Sequence, residues 1–257
     1  MKIVIPMSGL GKRFADAGYK DIKPLIKVHG KPIIEWVIDL FPGKHDFVFV
    51  CREEHLKETH LLSILNRIAP NAEIVSIKAH KLGPVYAVTQ AFDSINDHEE
   101  MIVNYCDFFQ DWDFEDFKSF VKNNPCDGAI PCYTGFHPHL MHKENVYASC
   151  AINENFELQE IREKYSFEEN KFKAQHSGGT YYFSKGAYVK KYFTELIEKN
   201  INLNGEYYVS LVYNLMLEDS KKILIYNKVP HFCQWGTPKD LEEYLTWDSI
   251  IKHYHKT

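Results

Sequence analysis

The chain has 257 residues, 45% hydrophobic and 25% charged, with a formal net charge of -5 at pH 7. That length suffices for one large domain or two small ones. The acidic balance argues against a nucleic-acid or anionic-membrane surface, since each needs a basic excess; a small anionic ligand needs only a local cluster of cations.

The first element is a short apolar run, KIVIPM (2–7), ended by the glycine loop SGLGKRF (8–14). This predicts a buried strand and a turn. PIIEWVIDLF (32–41) has helical spacing, HDFVFVC (45–51) reads as a strand, and EEHLKETHLLSILNRI (53–68) as a single helix. AEIVSIK (72–78), PVYAVTQAFDSI (84–95) and EMIVNYC (100–106) continue as strand, helix and strand. Helices between consecutive apolar strands imply a mostly parallel sheet covered on both faces.

After Asp107 the rhythm changes. The segments 126–135, 146–153, 157–164 and 179–189 read as strands without regular crossover helices, as in an antiparallel extension of the sheet. Helices are predicted over 185–199 and 207–218, then a strand over 222–229 and a helix over 238–254 opening on Pro238. There is no linker, repeat or low-complexity tract. The expectation is a single α/β domain over 1–257 whose organisation changes at about residue 107. The six cysteines show no CxxC spacing and read as reduced thiols. The opening residues are too early broken for a signal peptide, and no apolar stretch nears the roughly 20 residues of a membrane span. A soluble, cytoplasmic protein is expected.

The loop after the first strand lacks the GxGxxG of a dinucleotide fold, because Phe14 takes the third glycine position, and it lacks the GxxxxGK[ST] of a P-loop. Lys12, Arg13 and Lys23 nevertheless fall close together in sequence, with Pro24 fixing the backbone after Lys23. Ligands of open α/β sheets bind at the carboxyl ends of the strands. Three cations and a glycine loop there suit a triphosphate.

Gly9, Gly11, Arg13, then Lys23-Pro24, then Gly30-Lys31-Pro32 resemble the opening signature of the sugar nucleotidyltransferases, the nucleotidyl-phosphosugar pyrophosphorylases. KLGPVYAV, IVNYCDFF, IREKYSF, HSGGTYYF and QWGTPKDLEEY resemble later elements of that family, so the similarity spans about residues 1–245. It implies the nucleotide-diphospho-sugar transferase fold, a Rossmann-like mixed sheet flanked by helices, and transfer of NMP from an NTP to a phosphorylated small molecule with release of pyrophosphate. It implies Arg13, Lys23 and Asp107 as catalytic, and Met7, Ser8, Gly9, Gly11, Lys12 and Gly83 as nucleotide-binding. Glu163, Lys164, Gly178, Gly179 and Glu206 are the implied acceptor-binding residues. Mg2+ is the implied cofactor, held by Asp107 and by position 234, where many relatives carry a carboxylate and this chain has Gln234. The wording of the first loop and of QWGTPKDL is closest to capsule and surface-polysaccharide members, which implies CTP as donor and L-glutamine phosphate as acceptor, with a sugar 1-phosphate as the alternative.

Asp107 also suits a turn cap, Glu163-Lys164 a solvated pair, and Trp235 packing. DWD (111–113) offers a literal DxD, the metal motif of glycosyltransferases of similar fold, and Gln234 leaves room for a catalytically silent nucleotide-binding subunit. His137, His139 and His142, like His253 and His255, read as loop histidines rather than zinc ligands.

Overall fold

The computed structural model describes residues 1–254. In chain order its first half comprises β1 (Lys2–Met7), α1 (Lys12–Asp16), the ribbon β2 (Lys27–Val28) and β3 (Lys31–Pro32), α2 (Ile33–Asp39), β4 (Asp46–Arg52), α3 (Glu53–Glu58), α4 (Leu61–Ile68), β5 (Glu73–Ile77), α5 (Gly83–Thr89) and β6 (Met101–Asn104). The second half comprises β7 (Phe108–Asp111), α6 (Phe114–Asn123), β8 (Gly128–Tyr133), β9 (Ser149–Ile152), β10 (Leu158–Arg162), β11 (Gln175–Ser177), β12 (Thr180–Phe183), α7 (Gly186–Glu198), α8 (Val209–Glu218), β13 (Ile223–Val229), β14 (His231–Gln234) and α9 (Pro238–Tyr254).

Among the described residues, ten strands form one sheet in the order β10-β9-β11-β8-β12-β6-β1-β4-β5, with β13 also paired to β8. β6, β1, β4 and β5 are parallel. β12 runs antiparallel between β6 and β8, and β9, β10 and β11 extend the sheet by antiparallel pairing. This is the mixed, helix-flanked sheet expected. The alternation along β1 explains its continuous apolar run: Ile3, Ile5 and Met7 enter the core on one face, and Val4 the core on the other. β4 divides likewise, with Phe47 and Phe49 on the first face and Val48 and Val50 on the second. A strand buried on both faces cannot show the period-2 polarity of a half-exposed one.

Four local readings change, the first being that the strand expected over 179–189 stops at Phe183 and the chain is helical from Gly186. The helix expected over 53–68 is two helices, because Thr59 is extended at φ -129 and ψ 175. Its hydroxyl donates to the His55 carbonyl and accepts from Leu61 N–H, satisfying groups that a continuous helix would have paired. The helix expected over 84–95 ends at Thr89 and is followed by a 3-10 turn at Phe92–Ser94. α1 and α6 were not foreseen. α6 begins where the Asp113 carboxylate accepts from Asp116 N–H at 2.9 Å, so the last residue of DWD is a helix cap. No helix among the described residues is long and apolar enough to cross a membrane.

Strand order decides where a ligand belongs. From β1 the chain builds outward through β4 and β5, then returns to place β6 on the other side of β1. The loops leaving β1 and β6 therefore diverge above their carboxyl ends, the position at which open α/β sheets form a crevice.

Candidate active site

Two adjoining cavities open at that crevice, of about 500 Å3 and about 900 Å3. Pro6 and Met7 at the end of β1 and residues 8–14 after it, together with Lys23, His80, Gly83 and Asp107, line the smaller one. Arg13, Asp107 and Glu206 line both, so they stand at the join. Lys23 sits in a 3-10 turn (Lys23–Leu25) with Pro24 after it, and its Nζ donates to Asp107 Oδ2 at 2.5 Å. Asp107 follows β6, and its carbonyl accepts from Trp235 N–H at 2.9 Å. The parallel sheet thus brings together residues 84 positions apart.

Gly83 opens α5 at φ +83. A Cβ there would lie 2.8 Å from Tyr207 N and 2.9 Å from Tyr207 O. Tyr207 N–H donates to Leu82 O, and Val85 N–H donates to Tyr207 O, so α5 is tied by main chain to the segment carrying Glu206. Only glycine permits that approach. His80 is a residue that the sequence reading passed over. Its Nδ1 accepts from Leu82 N–H at 3.2 Å, which puts the proton of the neutral ring on Nε2, 2.9 Å from Ser8 Oγ. Burial lowers the His80 pKa and keeps the ring neutral. Ser8 accepts from it and retains its own O–H to donate.

The larger cavity is lined by Glu163, Lys164, Gly178, Gly179, Gln234 and Asp240 among others. Glu163 accepts from the Ser210 hydroxyl, and burial pushes its carboxyl up to about 6 against the weaker pull of Ser210 and Lys164. Gly178 and Gly179 line this cavity, but packing beneath it accounts for them. A Cβ at Gly179 would lie 2.9 Å from the Tyr105 ring, and one at Gly178 2.9 Å from Phe232. Glu206 accepts from Tyr208 O–H at 2.5 Å.

Gln234, at the end of β14, is only 5% exposed. Its Nε2 donates to Asp240 Oδ1 at 3.2 Å, while its Oε1 is buried without a hydrogen-bond partner. Burial raises the Asp240 carboxyl above the usual range. Asp240 was legible in the sequence only as part of a helix start. Its distance in space from Asp107 depends on the turn between β14 and α9.

Trp235 is 1% exposed and lies against Trp36, Phe109 and Tyr244, so it packs. His137 and His139 are buried, and burial pulls them down to about 4 and about 3. His137 Nε2 accepts from Phe232 N–H, and His139 shares a 2.8 Å hydrogen bond with Tyr133. Among the described residues no group of three or more His, Cys, Asp or Glu is placed to hold a metal ion. His255 lies outside the described residues.

Residues 3–169 match the MobA-like NTP transferase domain family. The chain belongs to that family. Among curated proteins, this NTP transferase domain is 27% identical over 226 residues to the bifunctional protein GlmU of Fervidobacterium nodosum, covering 87% of this chain and 46% of that protein. The chain spans less than half the length of the curated relatives it matches. Among solved structures it resembles the nucleoside-diphosphate-sugar pyrophosphorylase from Vibrio cholerae RC9, with a TM-score of 0.76 at 19% identity over 95% of this chain and 99% of that one. It also resembles the inositol-1-phosphate CTP transferase from T. maritima, with a TM-score of 0.71 at 16% identity over 95% and 93% of the two chains. At such identities the two structures speak to the fold. They agree with the sugar nucleotidyltransferase resemblance of the opening loop.

Proposed function

We infer that the protein transfers a nucleoside monophosphate from an NTP to a phosphorylated small molecule and releases pyrophosphate. The observation that carries this reading is the join of the two cavities at Arg13 and Asp107, with Lys23 bonded to Asp107 at 2.5 Å. The glycine loop, Lys12 and Arg13 line the donor side; Glu163 and Lys164 line the other.

The chemistry asks little of the protein's acids and bases. A phosphate oxygen of the acceptor is already ionised at neutral pH. It attacks the α-phosphorus, forming a new P–O bond as the bond to the bridging oxygen of the β-phosphate breaks, and pyrophosphate leaves with the electron pair. No proton moves. Catalysis then rests on positioning and on cations aimed at the charge that develops. Lys12 and Arg13 hold the triphosphate and the departing pyrophosphate. Without substrate Lys23 neutralises Asp107; in this reading its ammonium turns to the α-phosphate when the NTP binds. Lys164 anchors the acceptor phosphate. Asp107 and Gln234 offer hard oxygen ligands of the kind Mg2+ prefers, and the partnerless Gln234 Oε1 suits that use. A bound Mg2+ would neutralise phosphate charge.

Within this reading, CTP with L-glutamine phosphate is the pair to try first, on the resemblance to surface-polysaccharide members, and a sugar 1-phosphate the second. The test is a pyrophosphate-release screen of NTPs against phosphorylated amino acids and sugar phosphates with Mg2+. Arg13→Ala and Lys23→Ala are each expected to slow release by about 10²- to 10³-fold. Wild-type turnover in both variants would falsify the assignment, as would release of nucleoside diphosphate from a nucleotide sugar in place of pyrophosphate from an NTP.

A further inference from the structure

The wall of the larger cavity includes a segment with no main-chain support of its own. Residues 142–147 lie outside every helix and strand, and among the described residues none of them makes a main-chain to main-chain hydrogen bond. All of them except Asn145 line the cavity. Side chains hold them instead. The Lys171 ammonium donates to the carbonyls of His142 and Lys143, at 2.6 Å and 2.9 Å. The Asn145 amide donates to the Tyr147 carbonyl at 3.3 Å and to the carbonyl of Tyr165. We propose that Lys171 and Asn145 are positioning residues that set 142–147 as a strap along the acceptor side, and that through the strap they fix the affinity for the phosphorylated acceptor.

The first anchor is itself fixed. Lys171 opens a 3-10 turn (Lys171–Lys173), in which the Asn170 side chain accepts from Phe172 N–H at 3.0 Å. The Lys171 carbonyl accepts from the buried His176 ring at 2.8 Å, and Gly135 N–H donates to the Phe172 carbonyl at 2.7 Å. His176 belongs to β11, so the ammonium is launched from the sheet. Hydrogen bonds from a charged donor are the strong kind, and one ammonium on two successive carbonyls fixes their direction as well as their place.

The second anchor falls where the main chain is strained. Lys164 has φ +53, in the left-handed region that residues other than glycine rarely adopt. Such a conformation persists only where the surroundings hold it. Tyr165 follows directly, and the Asn145 amide on its carbonyl holds the outgoing side of the turn. Glu163, on the incoming side, accepts from Ser210. The strap thus ties one part of the cavity wall to the turn that carries Lys164, which lines the same space. Neither Lys171 nor Asn145 lines either cavity, so each acts through the strap. The role rests on the nucleotidyltransferase reading for its substrate.

The test takes Lys171→Met and Asn145→Ala in the full chain, with circular dichroism and thermal melts to establish that each is folded. Pyrophosphate release is followed with L-glutamine phosphate, or with a sugar 1-phosphate if that is the acceptor turned over. Each variant is expected to raise KM for the acceptor about tenfold and to leave kcat and KM for the NTP within about twofold. Lys171→Arg keeps a cation with several donors and is expected to restore the acceptor KM to within about threefold. Limited trypsin digestion, read by mass spectrometry at the Lys143–Glu144 bond, needs no substrate. Lys171→Met is expected to speed that cut about tenfold, with cuts elsewhere unchanged. A wild-type rate of cutting in folded Lys171→Met overturns the strap. A faster cut with the acceptor KM unchanged, or with both KM values raised alike, overturns the positioning role. Failure of the wild-type protein to release pyrophosphate with any acceptor removes the activity reading, and the digestion still decides whether Lys171 holds the strap.

Discussion

Glu163 is a residue whose surroundings work against its charge, and the cost can be measured. Burial lifts its carboxyl from the ordinary 4.5 to about 6, outweighing the Ser210 hydroxyl and Lys164. Below pH 4.5 the group is protonated in both the folded and the unfolded chain. Between 4.5 and 6 the unfolded chain releases the proton first, so stability falls as pH rises. Above 6 both are ionised, and the fold bears the whole difference of about 2 kcal/mol. Glu163→Gln removes the charge and keeps an oxygen to accept from Ser210. Urea unfolding at pH 4 to 8 is expected to show the variant more stable than wild type by about 2 kcal/mol at pH 7, with the gap closing towards pH 4. A gap independent of pH, or a variant less stable at pH 7, would refute the burial argument. The same variant should raise KM for the phosphorylated acceptor, because a charge retained at a cost to stability belongs to a site that uses it.

Gly83→Ala is expected to cost about 2–4 kcal/mol in chemical denaturation and to raise KM for the NTP, since a Cβ meets Tyr207 backbone at 2.8 Å. Gly18→Ala, at φ +85 with nothing within 4 Å, isolates the conformational part at about 1 kcal/mol. Asp113→Ala should cost about 1 kcal/mol by uncapping α6 and leave pyrophosphate release unchanged; lost release would revive the DxD reading. His137 and His139 have folded pKa values of about 4 and about 3, so the stability of keeping them neutral is complete above 6.5 and drains as pH falls. Denaturation of His139→Gln should therefore show a shallower loss between pH 6 and 4, by up to about 1.4 kcal/mol per pH unit, although the variant starts less stable at pH 7.

The parallel half of the sheet was legible because its strands are apolar on both faces and its helices recur between them. β1, with Ile3 and Ile5 on one core and Val4 on the other, had no other way to be buried. The break at Thr59 was not legible, since periodicity runs through it and one hydroxyl ends the helix. α6 was not legible either: it lies in the stretch after Asp107 where the strand-helix alternation stops, and its start is marked only by the Asp113 cap.

By itself the sequence determined the strand-helix alternation, the glycine loop with its three cations, and the family, because these depend on neighbours in the chain. The tertiary structure decided which distant residues share a space. The reversal of strand order between β1 and β6 sets Lys23 on Asp107. The turn from β14 into α9 sets Asp240 beside Gln234, and the close packing of Tyr105 and Phe232 explains Gly179 and Gly178. Those contacts join segments far apart in sequence, and nothing local encodes them: they exist only once the sheet has fixed where its strands end.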